Sequence, residues 1–340
     1  MCGRGPAAAH RPSPRAGRWA AVLFFACTLA LPAAAGSEAD NRLGVYKGAG
    51  CDGRPRIAEF GRWLGRMPGW AVDFLADTSW TEIRNTAEWI AGCWRGAPYR
   101  LSLAVPMLPK DGRSTLEAGA EGAYDSHFRH IARALVAHGR ADAVLRLGWE
   151  FNGEWSAWNA AKDPEAFIRF WRRIVQVMRA QPGAAFRFEW TPGLFRGTVH
   201  PERVYPGDDV VDVIGLTVYN QSWTVPLSDA EGRWRELRTQ RSGLDWHRRF
   251  AAQHGKPRAF PEWGTGVRTG GGGGGDDPLF IARMADWVSA PDVLYYGYWD
   301  FPAPDYNALL SAGDRLPRAA QAFRERFGPA AATRPGDNAR

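Results

Sequence analysis

Cysteine, methionine and histidine are all scarce here, at 4, 5 and 7 of 340 residues. That scarcity argues against a disulfide-dense miniature scaffold and against a Cys/His zinc centre. His127 and His130 lie three apart near Asp125, but no HExxH run accompanies them, so they read as helix-surface residues and no metal or organic cofactor is expected. A GxSxG elbow is absent as well, which argues against a serine hydrolase of the α/β type. No Lys/Arg-rich block with interleaved aromatics follows the N-terminal region, so nucleic acid is not an expected partner. Long apolar runs are also lacking. The single candidate, residues 19–31, is too short for a comfortable membrane span.

That run follows Arg11, Arg15 and Arg18 and precedes Pro32-Ala33-Ala34-Ala35, the composition of a signal peptide cleaved near residue 35. The expectation is a secreted or periplasmic protein with no membrane association after cleavage. Cys27, preceded by Ala26, offers lipid attachment as an alternative, though the bulky Phe24-Phe25 pair fits it poorly. Removing residues 1–35 takes away four arginines and no acid, lowering the formal charge from +7 to +3. Basicity is therefore partly a targeting feature. Cys51 and Cys93 remain. In an oxidising compartment they suggest one disulfide, the alternative being two buried thiols.

From residue 43 onward, short apolar runs alternate with amphipathic stretches, as repeated βα units require. Strands are expected at 43–46, 71–75, 100–105, 143–147, 185–189, 211–216, 258–260 and 293–298. Helices are expected at 56–66, 81–94, 125–138, 164–180, 244–254, 278–288 and 317–327, with a short one at 201–205. Asp163-Pro164 and Asp277-Pro278 are start signals, the acid accepting free N–H groups and the proline occupying the first turn. Eight strands with crossover helices specify an α/β protein, a single (β/α)8 TIM barrel over residues 36–328, rather than an open doubly wound sheet. No linker divides it, and a monomer is expected. The glycine run 270–275 lacks a phosphate-loop context and reads as a flexible loop at the barrel mouth; residues 329–340 read as a disordered tail.

What the sequence does contain is two glutamates where apolar strands give way to tryptophan-rich loops: Glu150 in Gly148-Trp149-Glu150-Phe151-Asn152-Gly153, and Glu262 in Phe260-Pro261-Glu262-Trp263-Gly264. In such a barrel, catalytic groups come from the C-terminal ends of different strands. Two carboxylates across a cleft suit glycoside hydrolysis, one protonating the leaving oxygen and the other attacking the anomeric carbon or activating water. The 17 tryptophans support a sugar ligand, because flat rings stack on pyranose faces. Trp155, Trp158, Trp190, Trp223, Trp263 and Trp299 fall in or beside strand-end loops. Of these, Trp155, Trp263 and Trp299 are the foremost substrate candidates.

The chain resembles glycoside hydrolase family 26, the β-mannanase-like family within a clan of barrel glycosidases. The resemblance rests on residues 146–158 (Arg146, Glu150, Gly153, Trp155, Trp158), on Glu189-Trp190-Thr191-Pro192, and on residues 205–219 ending at Tyr219. It implies a secreted retaining endo-β-glycosidase with Glu150 as acid/base and Glu262 as nucleophile. Tyr219 would hydrogen-bond the nucleophile and Arg146 would fix the charge balance beneath the site. Trp149, Asn152, Trp155, Trp158, Trp190, Trp263 and Trp299 would line the substrate. The family's mannanases usually carry His before the acid/base, where this chain has Trp149. That exchange leaves the reaction type intact but weakens the claim to mannan, so β-mannan is the expected substrate by family alone. β-Glucan, β-xylan or an exopolysaccharide are alternatives, as is a non-catalytic carbohydrate-binding barrel.

Overall fold

The computed structural model describes residues 41–329. The expected signal segment, the Cys27 alternative and the tail from residue 330 lie outside the described residues. Eight parallel strands are present: β1 Leu43–Tyr46, β2 Trp70–Phe74, β3 Arg100–Val105, β4 Val144–Leu147, β5 Arg187–Trp190, β6 Val213–Gly215, β7 Arg258–Gly264 and β8 Val293–Trp299. Each pairs with its successor, and β8 pairs back onto β1, closing the sheet. Closure removes every exposed edge.

The helices are α1 Gly50–Leu64, α2 Trp80–Cys93, α3 Leu116–Ala120, α4 Asp125–Ala137, α5 Pro164–Arg179, α6 Ala230–Thr239, α7 Leu244–Gln253, α8 Pro278–Val288 and α9 Pro317–Phe327, with one 3-10 turn at Pro201–Val204. Both Asp-Pro signals act as read. Asp163 accepts the Ala166 N–H at 2.8 Å, and Asp277 accepts that of Phe280 at 3.1 Å. α5 shows what holds the outer layer: Phe167, Phe170, Trp171, Ile174, Val175 and Met178 recur at helical spacing and are buried. Burying each is worth about 1.5–3 kcal/mol. Among the described residues no helix is long and apolar enough to cross a membrane.

Several sequence expectations change, among them the unexpected short helix α3. α1 starts six residues before 56, through Gly53 and Pro55, because its first N–H, that of Gly50, is fixed at 2.8 Å by the buried Asp73 carboxylate. α6 was absent from the expectation because its inward residues are Gly232, Arg233, Trp234 and Leu237, too polar a stripe to show apolar periodicity. The glycine run is tied down rather than loose. Ser222 N–H donates to Gly272 O (2.9 Å), Gly274 N–H to Asn220 O (2.7 Å) and Gly275 N–H to Gly266 O (2.9 Å).

Inside the barrel, Trp70, Val144, Val213, Ala259 and Tyr295 fill one apolar layer, with Trp70 and Tyr295 stacked at 4.3 Å. Polar groups come next: Tyr295 donates to Glu189 at 2.7 Å and shares a 2.6 Å hydrogen bond with Ser102, and Thr191 donates to the other Glu189 oxygen at 2.7 Å. Gly215 leaves the room this needs, since a Cβ there would lie 2.2 Å from Glu189 Oε1. Cys51 and Cys93 form a disulfide, with Cα atoms 4.9 Å apart. It joins the first turn of α1 to the last residue of α2.

Candidate active site

Glu262 reaches the cleft through an irregularity in β7. Pairing with β8 runs Phe260↔Tyr296 and then Trp263↔Tyr298, three residues against two. Such a bulge reverses the alternation of side chains and re-aims them. Phe260 packs outward on His247, and Trp263 packs outward on Phe323, Phe327 and Tyr298. Glu262, between them, turns inward to Arg146. Gly297 accommodates the bulge, because a Cβ there would sit 2.5 Å from Pro261 O.

Arg146, on β4, is fully buried. It donates to Glu262 Oε1 at 2.6 Å and to Asp73 O at 3.4 Å, and its guanidinium lies 4.6 Å from the Phe74 ring centroid. A guanidinium keeps its charge under any such burial, so Glu262 has a permanent counter-charge. Tyr219, on the two-residue strand Val218–Tyr219, donates to Glu262 Oε2 at 3.4 Å. Burial, then the Glu262 and Glu150 carboxyls, hold its phenol far above the ordinary value, so it remains a donor.

Glu150 follows β4 in a left-handed backbone conformation, φ 51°, where it is the one non-glycine residue of positive φ among those described. Its N–H donates to Thr191 O at 2.8 Å, and its own carbonyl accepts Gly153 N–H at 2.8 Å. Half-buried in the cleft, its carboxyl is pushed up to about 8, by burial first and by the Glu262 carboxylate second. Arg146 and the Thr217 hydroxyl, which lacks any other partner, oppose the rise, and Asp305 adds to it. The two carboxyls therefore stand in different environments within one cleft: Glu262 salt-bridged, Glu150 desolvated. That difference is what separates an acid from a nucleophile.

The aromatic expectations divide. Trp299 stacks on Tyr46 (4.2 Å, 13°), and Trp149 meets Phe74 edge-on (5.6 Å) and Trp158 (4.7 Å); both are half-buried. Trp155 is 61% exposed and leans on Phe195 at 4.8 Å. Trp158, Trp190 and Trp263 are corrected: all are core residues with no ring face for a ligand. Trp158 is anchored by its N–H to Trp149 O at 2.9 Å, and Trp190 is walled by Phe151, Tyr205 and Phe250. Asn152 is also corrected. It is buried, and its amide is spent on Gly193, donating to O and accepting from N–H at 2.9 Å each. It staples the loop after β4 to that after β5.

Groups that sequence reasoning missed are Asp73, Glu189 and Tyr46. Asp73, pushed up to about 6 by burial, accepts from Trp94 Nε1 (2.7 Å), Gly50 N–H and Phe74 N–H. Burial raises Glu189 as well. An acid inside an otherwise apolar strand was the available signal for both.

The model of the family described as "Glycosyl hydrolase family 26" matches residues 129–242, a segment holding Arg146, Glu150 and Tyr219 but not Glu262. Several solved structures share the fold. Bacillus subtilis mannanase man26 is similar with TM-score 0.57 and 15% identity, over 83% of this chain and 85% of that one. A Cellulomonas fimi endo-beta-1,4-mannanase double mutant gives 0.60 and 20%, over 85% and 70%. A GH26 beta-mannanase from Bacteroides ovatus gives 0.53 and 18%, over 84% and 86%. At such identities the likeness speaks for the barrel alone. No curated protein matches this sequence. The family match runs from within α4 to just past α6, with the eight-stranded barrel complete around it, so over that segment this chain resembles the glycosyl hydrolases of family 26.

Proposed function

We propose that the chain is a secreted, retaining endo-β-glycosidase that cleaves a β-linked polysaccharide, β-mannan by family. The observation that carries this reading is the divergence of the two carboxyls. Glu150 holds its proton to about pH 8 next to Glu262, which Arg146 and Tyr219 hold in place. Glu150 protonates the departing glycosidic oxygen while Glu262 attacks the anomeric carbon. The new glycosyl ester is then hydrolysed by water that Glu150, now ionised, deprotonates. Tyr219 steadies the Glu262 oxygen not engaged by Arg146. Three mannanase structures that share the fold support β-mannan. The Cys51–Cys93 disulfide supports an oxidising compartment.

The test is a reducing-sugar assay over β-mannan, β-glucan and β-xylan with the parent, Glu150→Ala and Glu262→Ala. Nuclear magnetic resonance of the first-formed anomer accompanies it. Activity with a β-anomeric first product supports the reading. Activity surviving both substitutions rejects the site, and an α-anomeric first product rejects the retaining mechanism.

A further inference from the structure

We propose that Trp223 and Arg268 form an outlying subsite that takes a carboxylate-bearing sugar unit, so that a β-linked glycan carrying acidic units is bound in preference to the same neutral polymer. This rests on the glycosidase reading and goes further, by naming the charge of the substrate.

Trp223 lies in the loop after β6 and Arg268 in the loop after β7, on the rim that carries Glu262. At 66% exposure Trp223 is the most exposed large apolar side chain among the described residues. An isolated exposed tryptophan on a loose loop would mean little. This one is held. The Ser222 hydroxyl accepts the N–H groups of Thr224 (3.2 Å) and Val225 (2.9 Å), and the glycine run closes beneath the indole, with Gly272 against its pyrrole edge. Below lies a buried polar network. Asn220 donates to Thr265 (3.0 Å) and Asp277 (2.9 Å), and Arg233 pairs with Asp277 at 2.6 Å. A ring fixed in this way before binding loses little freedom when a ligand arrives.

Arg268 supplies the charge. Its guanidinium carbon lies 5.3 Å from the Trp223 ring centroid. Arg172, Arg173, Arg283 and Arg318 each have a carboxylate partner within 4 Å; Arg268 has none among the described residues. Asp305, paired through its backbone to Thr269, makes no ion pair with it. A guanidinium over a ring keeps in-plane N–H donors for an incoming carboxylate. The pair therefore offers a stacking face and an anion fork side by side. A neutral sugar uses only the first; a uronic acid uses both.

The experiment compares a glucomannan with the same polymer after oxidation of its primary alcohols to carboxylates. Binding is measured by calorimetry to full-length Glu262→Ala, which holds substrate without turnover. The oxidised polymer should bind about tenfold tighter, the worth of one charge-assisted hydrogen bond, and the difference should shrink with salt. Adding Arg268→Gln should abolish the preference, Arg268→Lys should keep part of it, and Trp223→Ala should weaken binding to both polymers. Equal affinity for the two polymers, or a preference unchanged by Arg268→Gln in a variant of parental melting temperature, overturns the proposal. Hydrolysis of either polymer by the parent is read separately: its absence counts against the glycosidase reading and leaves the binding comparison intact.

Discussion

Glu150 occupies a backbone conformation that costs a non-glycine residue about 1–3 kcal/mol, and its carboxyl sits where ionisation is disfavoured. The second cost depends on pH. A carboxyl raised in the native state keeps its proton after the unfolded chain has released it, so its native state loses stability as pH climbs from 4.5 to about 8. Glu150→Gln should therefore melt higher than the parent, by a margin that is small below that window and widens through it. A margin flat across the window would remove Glu150 as the titrating group. The activity of Glu150→Ala should fall about 10²–10⁴-fold, with the alkaline limb of the pH–rate profile lost. Arg146→Met leaves Glu262 buried without its counter-charge, which costs about 3–5 kcal/mol in denaturant titrations. Both glutamates were legible because strand-end acids in glycine- and tryptophan-bearing loops are unusual. The positive φ of Glu150 was not: no glycine marks it, and only the hydrogen bond to Thr191 O, forty-one residues on, explains it.

The eight barrel strands stood out at the level of elements because each is a short apolar run between turn signals. α8 and α9 were read to the residue because Pro278 and Pro317 mark their first turns. What stayed hidden was register. Trp263 looked like a cleft residue by its neighbour Glu262, and one extra residue in the β7–β8 pairing sends it to the helices instead. Pairing across strands far apart in sequence decides such parity, and local pattern does not carry it. The disulfide is also an element-level device, tying α1 to α2 across 42 residues. Cys51→Ser with Cys93→Ser should lower stability by about 3–5 kcal/mol, seen as a fall in melting temperature that reductant reproduces in the parent. No change on reduction would show that the crosslink is dispensable.

The molecule as a whole carries Glu150, Glu262 and two exposed tryptophans on loops that follow barrel strands, Trp155 after β4 and Trp223 after β6. If Glu150 and Glu262 carry the proposed reaction, exposed rings on separate loops suit attack within a chain. Parent enzyme should cut polymer viscosity well before reducing ends accumulate. Trp155→Ala should raise KM for polymer more than for a short aryl glycoside; an equal rise on both would place Trp155 beside the reacting sugar.

The Asn152–Gly193 staple has a consequence for anyone rebuilding this barrel. The height of the acid is jointly owned by two segments that are not neighbours in sequence: Asn152 grips the turn after β5, and Glu150 hangs from Thr191. A designer who transplants the segment after β4 from a relative, to change what the cleft accepts, would import an acid without the bracket it hangs from. The two segments form one exchangeable cassette, and they must be moved together.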